Sequence, residues 1–412
     1  MAEIIAALDI GTSKVCCVIG QVNKNKDIQI IGIGVSPCNG LKKGIIVDID
    51  NTVQSIKNAV ASAQHMANLK LSSVFVNIAG GHTSLVRNRG IIAVSREDRE
   101  ITLEDVDRVI QAAKVIAVSN DKEIIDVIPL QFIVDGYDEI KDPVGMIGVR
   151  LEVDANVVIG TSTSIHNIIR SVEKAGLKPE GIILDPIASS EAVLMPDEKE
   201  LGVALLDIGA GVSDIAVFKD GNLIYSSLLP VGGDHITNDI AVGLKISFAE
   251  AENIKKQYGC AKVEMADEKI RFKITGIGSN KVKEINQKDL AEIIEPRLQE
   301  LYILINKQLI QSGYYNEIPG GIIITGGGAS LIKGSLELAS EIFEVPVKVG
   351  MPNEIGVTSP IYSVAVGMIK YLNKRKRNTG LKKDKLDVLP DKGKLSKGLV
   401  ERIKEMFSDF LQ

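Results

Sequence analysis

One eight-residue pattern occurs twice in this chain, and it constrains the fold more than anything else in the sequence. Leu8-Asp9-Ile10-Gly11-Thr12-Ser13-Lys14-Val15 returns as Leu206-Asp207-Ile208-Gly209-Ala210-Gly211-Val212-Ser213, an offset of 198 residues. That is about the size of one domain, so the pattern predicts a duplicated fold. Each copy lies between apolar runs short enough to be buried strands. Residues 4–10 with 15–19, and 203–208 with 214–218, therefore read as hairpins.

An aspartate followed by glycine and small hydroxyl residues at a hairpin tip suits a nucleotide's phosphates. Glycine permits turns in which successive N–H groups converge on an anion with no Cβ in the way. Gly11, Thr12, Ser13 and Lys14 supply N–H groups, hydroxyls and a positive charge in the first loop, and Gly209, Ala210 and Gly211 supply N–H groups in the second. Asp9 and Asp207 are the candidate Mg²⁺ residues, acting mainly through water, because Mg²⁺ favours few carboxylates, several waters and phosphate oxygens. A single loop of this kind is commonly only a tight turn. A third loop supports the nucleotide reading: Gly326, Gly327, Gly328 and Ser330 follow an apolar run and are expected to lead into a helix whose N-terminus faces a ligand. Neither the G-x-x-x-x-G-K-[ST] loop nor the G-x-G-x-x-G fingerprint is present.

Elsewhere the periodicity predicts helices over 53–66, 103–118 (capped by Thr102), 234–242, 248–257 and 287–310. Strands are predicted over 28–35, 124–134, 149–159 and 321–325. Cys16, Cys17, Cys38 and Cys260 lack paired spacing and read as reduced core thiols, and the four histidines lack ligand spacing. The start is acidic where a secretory signal is basic, and no apolar run is long enough to span a bilayer, so a cytosolic location is expected. The net charge of −5 hides an asymmetry. Residues 373–412 hold twelve Lys and Arg against six Asp and Glu, a net +6, leaving −11 on the body. An acidic body argues against nucleic acid, and a basic tail points to an anionic partner.

These residues resemble the actin, sugar-kinase and heat-shock chaperone superfamily, in which ATP lies between two duplicated α/β domains. Residues 8–20 resemble its first phosphate motif, 205–218 the second and 322–334 the adenosine motif. Residues 184–192 and 359–371 resemble the two connecting helices. Within the superfamily the chain is similar to the FtsA family of bacterial division proteins. Residues 44–52 are too short for the insert of actin and the chaperones, and the extra mass falls at 84–163. The pilus-assembly protein PilM remains an alternative.

The resemblance implies an actin-like fold of two RNase H-like domains around an ATP cleft. The first comprises 1–83, 164–200 and 360–372, with an FtsA-type insert at 84–163. The second comprises 201–245 and 311–359, with a smaller insert at 246–310. It also implies nucleoside contacts from Glu252 and Lys255; the other reading is an i,i+3 pair on a solvated helix. Asp185 is implied as a water-positioning residue, against the reading of a helix N-terminal acid that favours the dipole. A partner implied by the family is the C-terminal tail of FtsZ, for which Arg297 and Glu300 are the candidate contacts.

The last segment bears on membrane binding. Leu399, Val400, Ile403, Met406, Phe407, Phe410 and Leu411 fall on one helical stripe, opposite a charged face. A polar linker, 373–395, precedes it and argues against docking on the body. Such a helix, 396–412, suits an anionic lipid surface, with 374–377 adding basic charge. Each fully buried apolar side chain contributes roughly 1.5 to 3 kcal/mol, offset by ordering, so one tail binds weakly and an assembly of tails binds well. The expectation is a self-associating ATP-binding adaptor at the division septum that acts with other division proteins. It lies on the cytoplasmic face of the membrane without crossing it. The competing class is a slow ATPase of chaperone type.

Overall fold

Unbroken apolar runs flanked by turn residues give strands buried on both faces, and the chain builds two five-stranded sheets from them. The computed structural model describes residues 3–276 and 282–379. The first domain opens with strands β1 (Glu3–Ile10), β2 (Lys14–Val22) and β3 (Ile28–Pro37). A short ribbon of β4 (Leu41–Lys42) and β5 (Ile45–Ile46), helix α1 (Ile49–Ala67) and strand β6 (Ser73–Ile78) follow. Asp48 caps α1 by accepting from the Asn51 N–H, and Asn68 ends it in the left-handed region.

An inserted unit comes next: β7 (Thr83–Ala93), α2 (Leu103–Ala113), β8 (Lys122–Val134), β9 (Tyr137–Ile140) and β10 (Arg150–Thr161). Its four strands make a separate sheet in the order β7-β10-β8-β9, with a core of its own around Val109, Val153 and Val157. Thr102 and Asp105 form a reciprocal capping box on α2. That helix stops at Ala113, short of the predicted 118. Val115 points out while Ile116 and Val118 pack on the insert's core from an irregular segment.

The chain re-enters the first domain with α3 (Ser162–Lys174), β11 (Lys178–Leu184) and α4 (Asp185–Val193), completing the sheet order β11-β6-β1-β2-β3. After α5 (Pro196–Leu201), the second domain begins with β12 (Val203–Ile208), β13 (Ser213–Lys219) and β14 (Asn222–Leu229). It continues through α6 (Gly233–Leu244), α7 (Phe248–Tyr258), the hairpin of β15 (Arg271–Thr275) and β16 (Val282–Asn286), and α8 (Gln287–Gln311). Strand β17 (Ile322–Thr325), α9 (Ser335–Phe343) and β18 (Val347–Val349) complete the order β14-β13-β12-β17-β18. Both sheets pair their first three strands antiparallel and add the other two parallel, so the duplication seen in eight residues extends to whole sheets.

Helix α10 (Ser363–Thr379) returns to the first domain and crosses α4 so closely that a Cβ on Gly367 would lie 1.8 Å from the Ala188 carbonyl. Cys16 and Cys17 face opposite sides of β2: Cys16 joins the cluster of Ala365 and Ile369, and Cys17 that of Ile56 and Ala59. All four cysteines are buried and free.

The linker was expected to begin at residue 373, but α10 runs on to Thr379. Asn373 donates to the Lys26 carbonyl, Lys374 pairs with Glu191 and Arg375 with Asp126, so contacts with the body extend a helix that lacks apolar periodicity. Two of the four basic residues assigned to lipid, Lys374 and Arg375, are thus committed to the body. The remaining linker and the stripe from Leu399 to Leu411 lie outside the described residues.

Candidate functional site

The two hairpin tips are built alike. The Gly11 N–H donates to the Lys14 carbonyl at 2.9 Å, and the Gly209 N–H donates to the Val212 carbonyl at 2.9 Å. The tips meet across the gap between the domains: a Cβ on Gly211 would stand 2.8 Å from Thr12. The triple-glycine loop lies on the second hairpin. Gly326, at φ 82°, leaves no room for a Cβ, which would come 2.4 Å from Asp207 Oδ1, and a Cβ on Gly328 would come 2.1 Å from the Gly209 carbonyl. Glycine is required there by close approach. The expected helix N-terminus is displaced, since α9 begins at Ser335. Ser330 donates back to the Gly326 carbonyl and so fixes the loop.

The cavity between the hairpins is lined by Asp9, Gly11 to Lys14, Asp185, Asp207, Gly209, Ala210, Asp214, Gly326 and Gly327. Its electrostatics are lopsided. Asp9, Asp185 and Asp214 are each more than nine-tenths buried. Burial pushes Asp9 up to about 6 against the pull of Lys14. Burial, then the charges of Asp214 and Asp9, push Asp207 up to about 7. Burial pushes Asp214 up to about 7, with the Gly80 N–H opposing at 2.8 Å. Asp185 is raised well above the carboxylate range, by burial first and then by Asp214, Asp9 and Asp207. Lys14, a cation in the wall, donates to the Ile361 carbonyl at 2.6 Å. Desolvation lowers its own pKa.

Buried carboxyls that repel one another call for a cation. Asp185 Oδ1 is buried with no hydrogen-bond partner, an acceptor left open in the cavity wall. No three acidic, His or Cys side chains converge as a ready metal cage among the described residues. Such a donor set, of few carboxylates that do not converge, fits a hydrated Mg²⁺ rather than a metal held by protein groups alone.

Other expected site residues fall elsewhere. Thr12 Oγ1 accepts the Gly44 N–H at 3.2 Å. Glu252 and Lys255 are apart from this cavity, but Lys255 is not solvated. It is buried and donates to the Gly233 carbonyl at 3.0 Å and to Thr237 at 2.6 Å, while pairing with Glu252. Gly233 packs against Gly328, which places the pair beside the triple-glycine loop. On α8, Arg297 holds Asp239 and Glu300.

Sequence reading missed Asn77 and Asp214. Asn77 donates to Asp9 at 3.0 Å and to Asp185 at 3.3 Å. A polar residue near the end of an apolar run, 74–78, was the available signal for it. Asp214 stands opposite Asp207 on β13, where the first copy has Cys16 opposite Asp9, so matching the repeats does not single it out.

A sequence profile described as "Cell division protein FtsA" matches residues 204–367, and one described as "SHS2 domain inserted in FTSA" matches 80–159. The "Cell division protein FtsA" of Bacillus subtilis (strain 168) is 43% identical over 380 residues, covering 92% of this chain and 86% of that one. Its counterpart in Escherichia coli (strain K12) is 34% identical over 381 residues, covering 90% of each. Among solved structures, the PilM-PilN type IV pilus biogenesis complex matches with a TM-score of 0.62 at 18% identity, covering 90% of this chain and 98% of that one. MreB 5 of Spiroplasma citri bound to AMPPNP matches with a TM-score of 0.57 at 17% identity, covering 92% and 99%. The fold is thus actin-like, and the likeness to the pilus protein is one of fold.

Proposed function

This chain belongs to the FtsA family of cell division proteins, and we propose that it serves there as an ATP-switched adaptor that self-associates and tethers FtsZ filaments to the inner face of the membrane. The observation that carries the nucleotide half is the pair of like hairpins facing each other over four aspartates, one with an open carboxylate oxygen. The N–H groups of residues 12 and 13 and of 210 and 211, at the tips of the two hairpins, orient the phosphates, and Asp9 and Asp207 hold Mg²⁺ through water. A bound Mg²⁺ would supply the positive charge that the carboxylates and the phosphates share. Asp185 is the group suited to orient a water, so hydrolysis is slow and secondary to closing the cleft.

The membrane half rests on the amphipathic stripe from Leu399 to Leu411, and no described helix is long and apolar enough to cross a bilayer. The FtsZ tail is assigned to the region of Arg297 and Glu300 on α8. An acidic peptide there must displace Asp239 from the Arg297 guanidinium, exchanging one charge-assisted pair for another.

Two measurements test the proposal. Calorimetry of the full chain with ATP is expected to show binding that depends on Mg²⁺ and is lost in Asp207→Ala. Sedimentation with anionic liposomes is expected to pellet the full chain with ATP and Mg²⁺ and to leave a residue 1–395 protein in solution. Equal pelleting of both proteins refutes the membrane role.

A further inference from the structure

Asn77, on β6, is 5% exposed, and its hydrogen bonds set how its amide is turned. Its Oδ1 accepts the backbone N–H of Ile10 at 2.7 Å. That N–H belongs to the β1–β2 hairpin and cannot turn, so the amide NH₂ must face the other way. It donates to Asp9 Oδ1 at 3.0 Å and to Asp185 Oδ2 at 3.3 Å. One neutral side chain therefore ties one oxygen of each carboxylate to the hairpin backbone. Asp185 Oδ1 is left without a partner in the wall of the cavity.

We infer that Asn77 is a positioning residue for the Mg²⁺–nucleotide site, orienting Asp9 and Asp185 so that their remaining oxygens face the bound cation and its waters. The inference rests on reading the cavity as that site. An amide suits the task for three reasons. It donates to two acceptors at once, it adds no charge to a site already crowded with carboxylates, and its own oxygen is occupied by Ile10. Groups that orient metal-site carboxylates from behind typically change metal affinity by about 10- to 100-fold when removed.

The test is calorimetry of ATP binding to the full chain at stepped free Mg²⁺ and in EDTA, for the wild type, Asn77→Ala and Asn77→Ser. The half-saturating Mg²⁺ is expected to rise about 10- to 100-fold in Asn77→Ala. The rise should be smaller in Asn77→Ser, whose hydroxyl retains one donor, while affinity in EDTA stays at the wild-type value. An unchanged Mg²⁺ midpoint in both variants overturns the inference. So does a parallel loss of affinity with and without Mg²⁺ accompanied by a lower melting temperature, the mark of a purely structural role. If Asn77→Ala does not fold, the midpoint of Asn77→Ser decides. Absence of Mg²⁺ dependence in the wild type overturns the reading of the cavity itself, and is seen before any variant is compared.

Discussion

Asp9, Asp207 and Asp214 hold their protons more tightly in the folded chain than in an open one, with values near 6, 7 and 7 against about 4 for a free aspartate. A carboxyl raised in this way favours the folded state below its unfolded pKa, and that contribution disappears as pH rises through the folded value. Replacing Asp207 by Asn removes one such group. Asp207→Asn is therefore expected to gain stability relative to the wild type as pH rises from about 4 to about 7, by up to a few kcal/mol. Paired urea denaturation curves across that range check this, and a constant difference between the two proteins counts against it. Mg²⁺ with ATP should shrink the difference at neutral pH, because a bound cation favours the ionised carboxylate. The sequence made Asp9 and Asp207 legible because they repeat. It left Asn77 and Asp214 hidden because neither belongs to the repeated octet. Their roles come from strands β6 and β13 lying beside β1 and β12.

Among the elements, α10 and α4 show how close packing decides a residue that propensity would not. Alanine is worth up to about 1 kcal/mol more than glycine within a helix, yet a Cβ at Gly367 would sit 1.8 Å from the Ala188 carbonyl, which cannot move without breaking α4. Gly367→Ala is expected to cost about 2 kcal/mol or more, since overpacking against backbone outweighs the propensity gain. Gly20→Ala is the comparison: its Cβ would meet side chains rather than backbone, Ile369 Cγ2 at 2.8 Å and Cδ1 at 3.3 Å and Ile28 Cγ2 at 3.5 Å, and side chains can shift, so the loss should stay below about 1 kcal/mol. Urea midpoints for the two variants test the contrast, and equal losses would refute it. The same scale explains where periodicity ran short. The pattern over 103–118 continues past the end of α2 because Ile116 and Val118 still pack on the insert from an irregular segment. Conversely, α10 outlasts its apolar pattern because Lys374 and Arg375 find carboxylates on α4 and β8.

Across the whole molecule, the two domains touch through small residues at the cleft. The Gly80 N–H, in the turn between β6 and β7, donates to Asp214 of the second domain at 2.8 Å, and a Cβ on Gly81 would meet Leu228 at 2.6 Å. This turn is also the root of the insert, so the same few residues join the insert to the first domain and meet the second domain. Gly81→Val is expected to prop the domains apart, weaken ATP binding by about tenfold, equivalent to about 1.4 kcal/mol, and speed hydrogen exchange at residues 79–83 with the sheet cores unaffected. Exchange at wild-type rates in that turn would refute the idea. By itself the sequence determined the duplication, the two hairpins and their glycine-lined tips, because chain-local rules of period, turn chemistry and apolar runs write these directly into the order of residues. The tertiary structure alone decided that Asn77 joins Asp9 to Asp185, that Gly80 meets Asp214, that Lys255 is buried and that Arg375 is held by Asp126. Those partners lie far apart along the chain, and no local pattern records which buried polar groups will meet once the strands are in register.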